Sequence, residues 1–405
     1  MESPESKIKF LAGRLGADLV GVTTRDLLAD GPPSADPRYL LPSANSVISF
    51  AIALDKNLAE DFISKKSWRP HCDNRKAVAQ RLYTIGDALT EQLRSEGYEA
   101  VNVDLNNNYR PERDVVDITE MTEFYPEFAH RYAALAAGIG RLGWSGNLLT
   151  REYGAQVELG SVLTSAALTP DIPISDKEHP CDRCKMCSLV CPVGMIHPQS
   201  STHVTVAGIT ETISRKRPNT CCWIGCTGYE GLSPSGTWSN WSPYRLDGPL
   251  PKEKKELDAL CIRLQRMDPQ MKNLENSFSD YRGAVFDPGW FYYTVCGFCR
   301  LVCSSRRGDR LANHKRIVHS GTAALELDGS HTVADEKAVK IRTPFGLNVV
   351  VARELMPQER PRPGKSRGQF PLDREVIEYL CQLSQSEWKK EYPEDEINHL
   401  DSERI

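Results

Sequence analysis

Seven cysteines in two tight groups constrain this chain more than any other feature of its sequence. The first group reads C-x2-C-x2-C-x3-C-P over residues 181–192, and the second reads C-x2-C-x3-C over residues 296–303. The chain holds 13 cysteines in 405 residues, whereas structural disulfides are typical of small secreted domains. Such clustering predicts metal or cluster ligation before any other use of the thiols.

The first group has the spacing of bacterial ferredoxins, in which three close thiolates hold one [4Fe–4S] cubane and the fourth reaches a neighbouring cluster. Two intervening residues let tight turns aim successive sulfurs at different corners of one cubane. Structural zinc is the alternative, although zinc usually takes its four thiolates as separated C-x2-C pairs. The proline after the fourth cysteine redirects the chain, because it cannot continue a helix.

The second group needs one more thiolate from upstream, and Cys221, Cys222 and Cys226 are available. The seven grouped cysteines and one of these three supply the eight ligands of two cubanes. Ferredoxin-type cross-ligation assigns four cysteines to the first cluster: Cys181, Cys184, Cys187 and Cys303. It assigns the second cluster Cys191, Cys296, Cys299 and the additional cysteine. The other cysteines are expected to pack as small apolar side chains.

Helical and strand patterns alternate along residues 1–170, which predicts an α/β domain. One helix is expected to follow Asp73 and to end near Gly97, with an apolar face of Val78, Leu82, Ile85, Leu89 and Leu93. The run 46–54 is apolar on both faces and predicts a buried central strand. A further helix over 5–16 and strands over 17–23 and 98–104 complete the pattern.

The remaining chain divides into two further predicted segments. Residues 171–310 carry both cysteine groups, so we expect iron–sulfur clusters to organise them as a ferredoxin-like domain. Residues 311–405 predict a hairpin over 338–351 that turns at 344–346, a Pro-rich linker over 358–368 and a short helix near 373–384.

Composition sets expectations about partners and location. A net charge of −4 and a pI near 6.2 make a nucleic-acid partner unlikely. No apolar run approaches the roughly 20 residues that span a bilayer, so no membrane partner is expected. The N-terminal residues lack the apolar stretch of a secretory signal, which favours a cytoplasmic location.

Residues 137–154, which read AGIGRLGWSGNLLTREYG, resemble the corrinoid-dependent epoxyqueuosine reductases and reductive dehalogenases. Residues 41–49, 157–164 and 171–173 are similar to further segments of these families, and the likeness extends over about 5–305. The resemblance implies an α+β fold, with an α/β-like, nitroreductase-like reductase core that binds cobalamin over 1–170 and an inserted ferredoxin-like domain with two [4Fe–4S] clusters.

The resemblance also implies a base-off corrinoid, since the chain lacks the D-x-H-x-x-G motif of proteins that supply a histidine ligand to cobalt. Glycines permit close backbone approach, so the expected corrinoid-binding residues are Gly138, Gly140, Gly143, Gly146 and Asn147. The alternative is a turn that packs a helix against a strand. The families place a lone cysteine near a tryptophan in the second cluster, which favours Cys221 in Cys221-Cys222-Trp223.

A proton donor is expected shortly before the Gly-rich segment. The related families use an aspartate or a tyrosine seventeen residues before the position of Arg141, and that count falls on Phe124. Tyr125 is the first choice, because a phenol can donate a proton and hold the resulting anion. Glu123 and Glu127 are the carboxylic alternatives, and each of the three is an exposed helix residue in the alternative interpretation.

The leading hypothesis is a reductive dehalogenase-like enzyme that cleaves a carbon–halogen or carbon–oxygen bond of a small-molecule substrate. Its electrons would come from a low-potential donor such as ferredoxin or flavodoxin. Reduction of a tRNA nucleoside by an epoxyqueuosine reductase-type enzyme is the alternative, disfavoured because residues 310–405 show no helical repeat. An electron-transfer or reductive-activation protein without corrinoid is the other alternative. Ser304 stands where many relatives carry a second proline after the last cysteine.

Overall fold

A computed structural model describes residues 3–105, 110, 126–273, 295–326, 331–342 and 347–352. The described residues form two compact units, one within 1–220 and 297–318 and the other within 221–296 and 319–352. These boundaries differ from those of the three predicted segments, 1–170, 171–310 and 311–405. The functional division into those segments stays a prediction.

The described residues contain ten helices. They are Pro4–Arg14 (α1), Arg25–Leu28 (α2), Lys56–Ile63 (α3), Arg69–Ser95 (α4), His130–Ala136 (α5), Met186–Leu189 (α6), Asn219–Cys226 (α7), Lys254–Asn273 (α8), Phe298–Leu301 (α9) and Arg307–Val318 (α10). Short 3-10 turns cover Pro33–Ala35, Pro37–Tyr39 and Asp176–Glu178.

The strands of the first unit are Leu19–Thr24 (β1), Ser46–Ala53 (β2), Ala100–Asn102 (β3), Arg141–Leu142 (β4), Leu148–Leu149 (β5), Val157–Thr164 (β6), Ile196–Val206 (β7) and Ile209–Lys216 (β8). Those of the second unit are Tyr244–Arg245 (β9), Ala323–Leu325 (β10), His331–Val333 (β11), Val339–Arg342 (β12) and Asn348–Val351 (β13).

The first unit is built on a four-stranded sheet of order β1-β2-β6-β3. Every neighbouring pair in it is antiparallel. The prediction of mixed helix and sheet is therefore confirmed, while the parallel α/β arrangement that alternating elements suggest is wrong. An antiparallel sheet with helices packed on it is typical of α+β folds.

Strand β2 lies in the middle of this sheet, and its residues are buried from Ser46 to Ile52. Helix α4 packs on β6, and α5 packs on β2 and β6, so both apolar faces predicted for residues 46–54 are covered. The apolar face predicted for α4 is confirmed, since its five members are all buried. The helix begins at Arg69, however, and Asp73 lies inside its second turn rather than at its cap.

A long hairpin, β7–β8, follows the first cysteine motif in sequence. Its turn is Ala207-Gly208, whose backbone N–H groups donate to the carboxylate of Asp30 at 2.8 Å each. These bonds attach the hairpin turn to an exposed residue that follows α2. The hairpin also carries Glu211 into the core of the first unit, where 3% of the residue is exposed.

The second unit contains a five-stranded sheet in which β11, β10, β13 and β12 follow in order and β9 pairs with β13. Strands β12 and β13 pair antiparallel with Val339 opposite Val351, which confirms the hairpin predicted over 338–351. Its turn at 344–346, the linker at 358–368 and the helix at 373–384 lie outside the described residues. Within the described part of the chain, we find no helix with the length and apolar character to cross a bilayer.

Candidate metal centre

Four thiols line one cavity of the first unit. Cys181, Cys184 and Cys187 come from the first motif, and Cys303 comes from the end of the second. The whole cavity has a volume of about 320 Å³, a figure that includes space open to solvent. Other side chains on its wall are Trp144, Asp182, Lys185 and Arg310. These four cysteines are the set that cross-ligation predicts for the first cluster.

The backbone of the first motif reverses around Cys184. Arg183 and Lys185, the residues on either side of it, have φ angles of 55° and 60°. Side chains other than glycine adopt this left-handed region at a cost, and such strain persists where the surrounding structure holds it. Lys185 also precedes the first residue of α6, which carries Cys187. The reversal lets three closely spaced cysteines face one cavity.

Cys303 reaches the same cavity because the turn after β5 holds its backbone. The N–H of Ala155 donates to the carbonyl of Cys303 at 2.8 Å. Gly154 has a φ of 62°, and a Cβ at this position would overlap the Cys303 carbonyl oxygen. The Gln156 amide donates to Leu301 O at 2.6 Å and to Ser304 Oγ at 3.1 Å. The turn over residues 154–156 therefore fixes the backbone that carries the Cys303 thiol.

The electrostatics of the four thiols favour a positively charged group between them. Burial, together with the neighbouring Cys181 and Cys184, raises the pKa of Cys187 to about 12. Burial and the other three thiols raise the pKa of Cys303 well above its usual range, and Arg310 acts in the opposite direction. Metal coordination deprotonates a thiol outright, because the ion compensates the negative charge. Four thiols about one cavity, two of them buried and two half-buried, therefore fit a [4Fe–4S] cluster.

A single metal ion requires its ligands to converge on one point. Among the residues that the structure describes, no three imidazole, thiol or carboxylate side chains do so. A cubane, in contrast, takes one thiolate at each of four separated iron atoms. A cluster therefore requires four thiols around one cavity. Cys181, Cys184, Cys187 and Cys303 line such a cavity.

A network of hydrogen bonds and one buried ion pair supports the first cysteine motif. The N–H of Cys181 donates to Nδ1 of His179 at 3.0 Å, and Nε2 of His179 lies 3.1 Å from Glu211 Oε2. Glu211 also accepts from Arg141 Nε at 2.6 Å, and the side chains of this ion pair are only 3% and 2% exposed. His179 thus positions the turn before the motif. Sequence inspection missed Arg141 and Glu211 because they are 70 residues apart.

The second motif is anchored by a different ion pair in the first unit. Arg300, which follows Cys299, makes two hydrogen bonds of 2.9 Å to the carboxylate of Glu158 on β6. Arg75 of α4 donates to the same carboxylate at 3.0 Å. Burial alone would raise the pKa of Glu158, but the two arginines lower it to about 2. The carboxylate is therefore ionised and fixes the helix that bears Cys299 to the sheet.

The cysteines of α7 differ sharply in their surroundings within the second unit. The thiols of Cys222 and Cys226 are 3.6 Å apart. Hydrogen bonding to Cys222 and Cys296 and burial raise the pKa of Cys226 well above its usual range. Cys221 is fully buried in that unit. The structure thus brings Cys226 together with Cys222 and Cys296.

The other two cysteines expected to hold the second cluster lie in the first unit. The N–H of Met195 donates to Cys191 Sγ at 3.2 Å. The side-chain amide of Asn147 approaches Cys299 Sγ at 4.0 Å. The role of both thiols stays a prediction.

The Gly-rich segment forms the approach to the β4–β5 hairpin and its turn. A Cβ on Gly138 would lie 2.5 Å from the carbonyl oxygen of Ile172, and one on Gly143 would lie 2.6 Å from Leu149 Cδ1. A Cβ on Gly140 would overlap the Leu149 carbonyl oxygen. At Gly138 and Gly140 the neighbouring backbone itself requires glycine, whereas at Gly143 the obstructing atom is the end of a side chain. This agrees with the alternative interpretation, a turn that packs elements together.

The tip of this hairpin reaches the cluster thiols. The N–H of Trp144 lies 3.4 Å from Cys181 Sγ, and the Asn147 amide faces Cys299 as described above. Gly146 has a φ of 76°, and its carbonyl accepts from Arg131 at 3.3 Å. The segment therefore contacts the thiols of Cys181 and Cys299 directly. None of these contacts points to a corrinoid, so corrinoid binding by the five residues stays a proposal.

Of the three expected proton donors, Tyr125 and Glu123 lie outside the described residues. Glu127 is half-buried, and its backbone carbonyl accepts two hydrogen bonds from Arg110, at 2.9 and 2.6 Å. The role of all three residues stays a prediction.

No protein-family model matches the chain. In sequence it is similar to epoxyqueuosine reductases, which confirms the resemblance seen in its motifs. It is 27% identical over 179 residues to that of Bacillus cereus, covering 44% of this chain and 43% of the relative. It is 29% identical over 160 residues to that of Listeria monocytogenes, covering 40% and 38% respectively. The chain thus matches less than half the length of these relatives.

Among solved structures, an epoxyqueuosine reductase with an epoxyqueuosine-modified tRNA-Tyr stem loop aligns with 47% of this chain and 52% of its own. The identity is 20% and the TM-score 0.33. A catabolic reductive dehalogenase aligns with 71% of this chain and 38% of its own, at 17% identity and a TM-score of 0.41.

The expectation that a nucleic-acid partner is unlikely is wrong. The sequence relatives carry the name epoxyqueuosine reductase, and an enzyme of that name has been solved with a tRNA stem loop. The expectation rested on the net charge of −4. Binding to a phosphate backbone depends instead on where cationic side chains are placed, which a total charge does not report.

Proposed function

We propose that this chain is an iron–sulfur reductase of the epoxyqueuosine reductase type, which reduces a modified nucleoside in tRNA. The observation that carries the proposal is the convergence of Cys181, Cys184, Cys187 and Cys303 on one cavity. Similarity to epoxyqueuosine reductases at 27% identity supports the class of reaction. A [4Fe–4S] cluster, when bound, supplies single electrons at low potential.

Two clusters are proposed. The four thiols of the cavity hold the first. Cys191, Cys296 and Cys299 hold three corners of the second, and Cys226 is the fourth ligand that the structure favours, since it lies with Cys296. This choice replaces the earlier preference for Cys221.

Cobalamin is proposed as the second cofactor on the resemblance alone. It supplies a reducible cobalt centre when bound. The chain's own residues have to bind it, orient the substrate and exclude water, and Gly146 and Asn147 are the proposed contacts nearest to the thiols. Bound corrinoid adds structured visible bands to the broad brown absorbance of the clusters, so an absorbance spectrum tests this part separately.

The substrate class follows from the relatives. Those similar in sequence are epoxyqueuosine reductases, which favours a tRNA nucleoside over the organohalide of the leading sequence hypothesis. A cytoplasmic location would agree with a tRNA substrate and stays a prediction.

The deciding experiment is an anaerobic assay of the protein reconstituted with iron, sulfide and cobalamin, with dithionite as reductant. The substrate is a tRNA stem loop that carries epoxyqueuosine, and the reduced nucleoside is measured by mass spectrometry after digestion. We expect conversion by the loaded protein and none by the Cys303→Ser variant. Absence of conversion by protein with full iron and cobalamin content would overturn the proposal.

A further inference from the structure

Arg310 is a buried cation on the wall of the cluster cavity. It lies in the first turn of α10, and 4% of the residue is exposed. Its Nη2 donates to Asp182 Oδ2 at 2.8 Å, and its Nη1 donates to the carbonyls of Ser304 and Ser305 at 2.9 Å each. The guanidinium is therefore held both by a residue of the first cysteine motif and by the two residues that follow the second motif.

Its Nε group has no such partner. The atom is buried and finds no hydrogen-bond acceptor among the residues that the structure describes. A buried donor without an acceptor costs about 1–3 kcal/mol, more for a charged group, so such atoms in native proteins call for an explanation. Thiol groups of the same cavity lie near the guanidinium, since Arg310 interacts electrostatically with Cys303 and Cys184.

The position of Arg310 depends on a departure of this sequence from the related families. Ser304 replaces the second proline, and its side-chain oxygen accepts from Gln156 at 3.1 Å and from Asn313 at 3.0 Å. These bonds fix the backbone of Ser304, whose carbonyl in turn holds Arg310. The fixed carbonyl of Ser304 therefore holds the Arg310 guanidinium beside the four thiols of the cavity.

We propose that Arg310 sets the reduction potential of the first cluster, as a charge-assisted N–H donor to its sulfur and as a buried positive charge. The proposal rests on the cluster of the proposed function. Reduction adds one negative charge to a cluster, and a fixed cation in a site of low dielectric stabilises that charge. Arg310 therefore makes the cluster easier to reduce, which favours electron transfer into it.

The test is a redox titration of the anaerobically prepared holoprotein, followed by EPR. The signal of the first cluster is the one that the Cys303→Ser variant loses. In Arg310→Gln, which keeps a polar side chain but loses the charge, we expect a tenfold lower ratio of reduced to oxidised cluster at the wild-type midpoint. That change corresponds to a midpoint about 59 mV more negative for one electron.

Arg307→Gln is the matched control. Arg307 binds the same Asp182 oxygen at 2.9 Å, but its side chain is 64% exposed and does not line the cavity. We expect an unchanged midpoint, since water and salt screen an exposed charge. An unchanged midpoint in Arg310→Gln, or an equal shift in Arg307→Gln, would overturn the proposal.

Arg310→Lys decides the case in which the Gln variant loses iron. It keeps the cation, so retained iron and a wild-type midpoint support the proposal, and any other result shows that Arg310 only holds the fold. Failure of the cluster itself is recognised separately, because wild-type protein would then lack iron and sulfide.

Discussion

At the scale of single residues, the identity of the eighth ligand is the sharpest question. Cys221 and Cys226 lie on the same short helix, but Cys221 is buried in the core of its unit and Cys226 lies beside Cys296. We expect Cys226→Ser to remove about four irons per chain, the content of one cubane, and Cys221→Ser to remove none. Iron analysis of the two purified variants decides, and the opposite pattern would restore Cys221.

A second residue-scale prediction concerns His130 in the core of the first unit. Its Nδ1 lies 2.9 Å from Ser161 Oγ and its Nε2 lies 3.0 Å from the Asp104 carbonyl, an arrangement that a neutral ring satisfies. Burial lowers its pKa from 6.5 to about 4. Below pH 6.5 the unfolded chain therefore binds a proton that the folded chain does not bind until about pH 4.

The stability that neutral His130 contributes is thus complete above pH 6.5 and is lost as the pH falls towards 4. Between pH 7 and 5.5 the loss from this one group is about 1 kcal/mol. Thermal midpoints at the two pH values, scanned at one rate, should fall less for His130→Gln than for wild type. Equal falls would show that His130 is protonated in the native protein.

At the scale of elements, the turn that connects β5 to β6 is predicted to control the first cluster. Gly154→Ala would put a Cβ into the backbone of Cys303, in addition to a strained φ of 62°. We expect about four irons to be lost, as for one cubane, together with a lower thermal midpoint. Gly208→Ala is the control, because Gly208 has a φ of 71° but open space around its Cβ position.

Similar iron loss in the Gly208 variant would show that the left-handed backbone, and not the contact with Cys303, is responsible. Retention of all iron by Gly154→Ala would show that the Cys303 backbone can move without releasing its thiol.

At the scale of the whole molecule, the cysteine count predicts about eight irons and eight sulfides per chain. Cys303→Ser should reduce both to about four, because Cys303 shares its cavity with the three thiols of the first motif. EPR should then show one cluster missing and its neighbour intact. Stoichiometric zinc, or four irons in the wild type, would contradict the assignment of two clusters.

The sequence by itself determined the features that depend on short spacings. The C-x2-C-x2-C run predicts a cluster because its turns are local, and the apolar runs of β2 and α4 specify buried elements because their periods are local. The similarity to epoxyqueuosine reductases was also visible in the motifs. Alternation of helix and strand, in contrast, did not determine that the sheet is antiparallel, since strand direction depends on how the connections cross the sheet.

Only the tertiary structure decided which distant side chains meet. Arg310 reaches a cavity whose first cysteine lies more than a hundred residues earlier, and Glu211 comes from a separate hairpin to support that same motif. The preference for Cys221 came from its nearness to a tryptophan in the sequence, whereas the fold shows that Cys226 lies with Cys296; which of the two thiols is a ligand stays a prediction. Local patterns set which ligands are possible; long-range packing selects among them, because it alone fixes burial and distance in space.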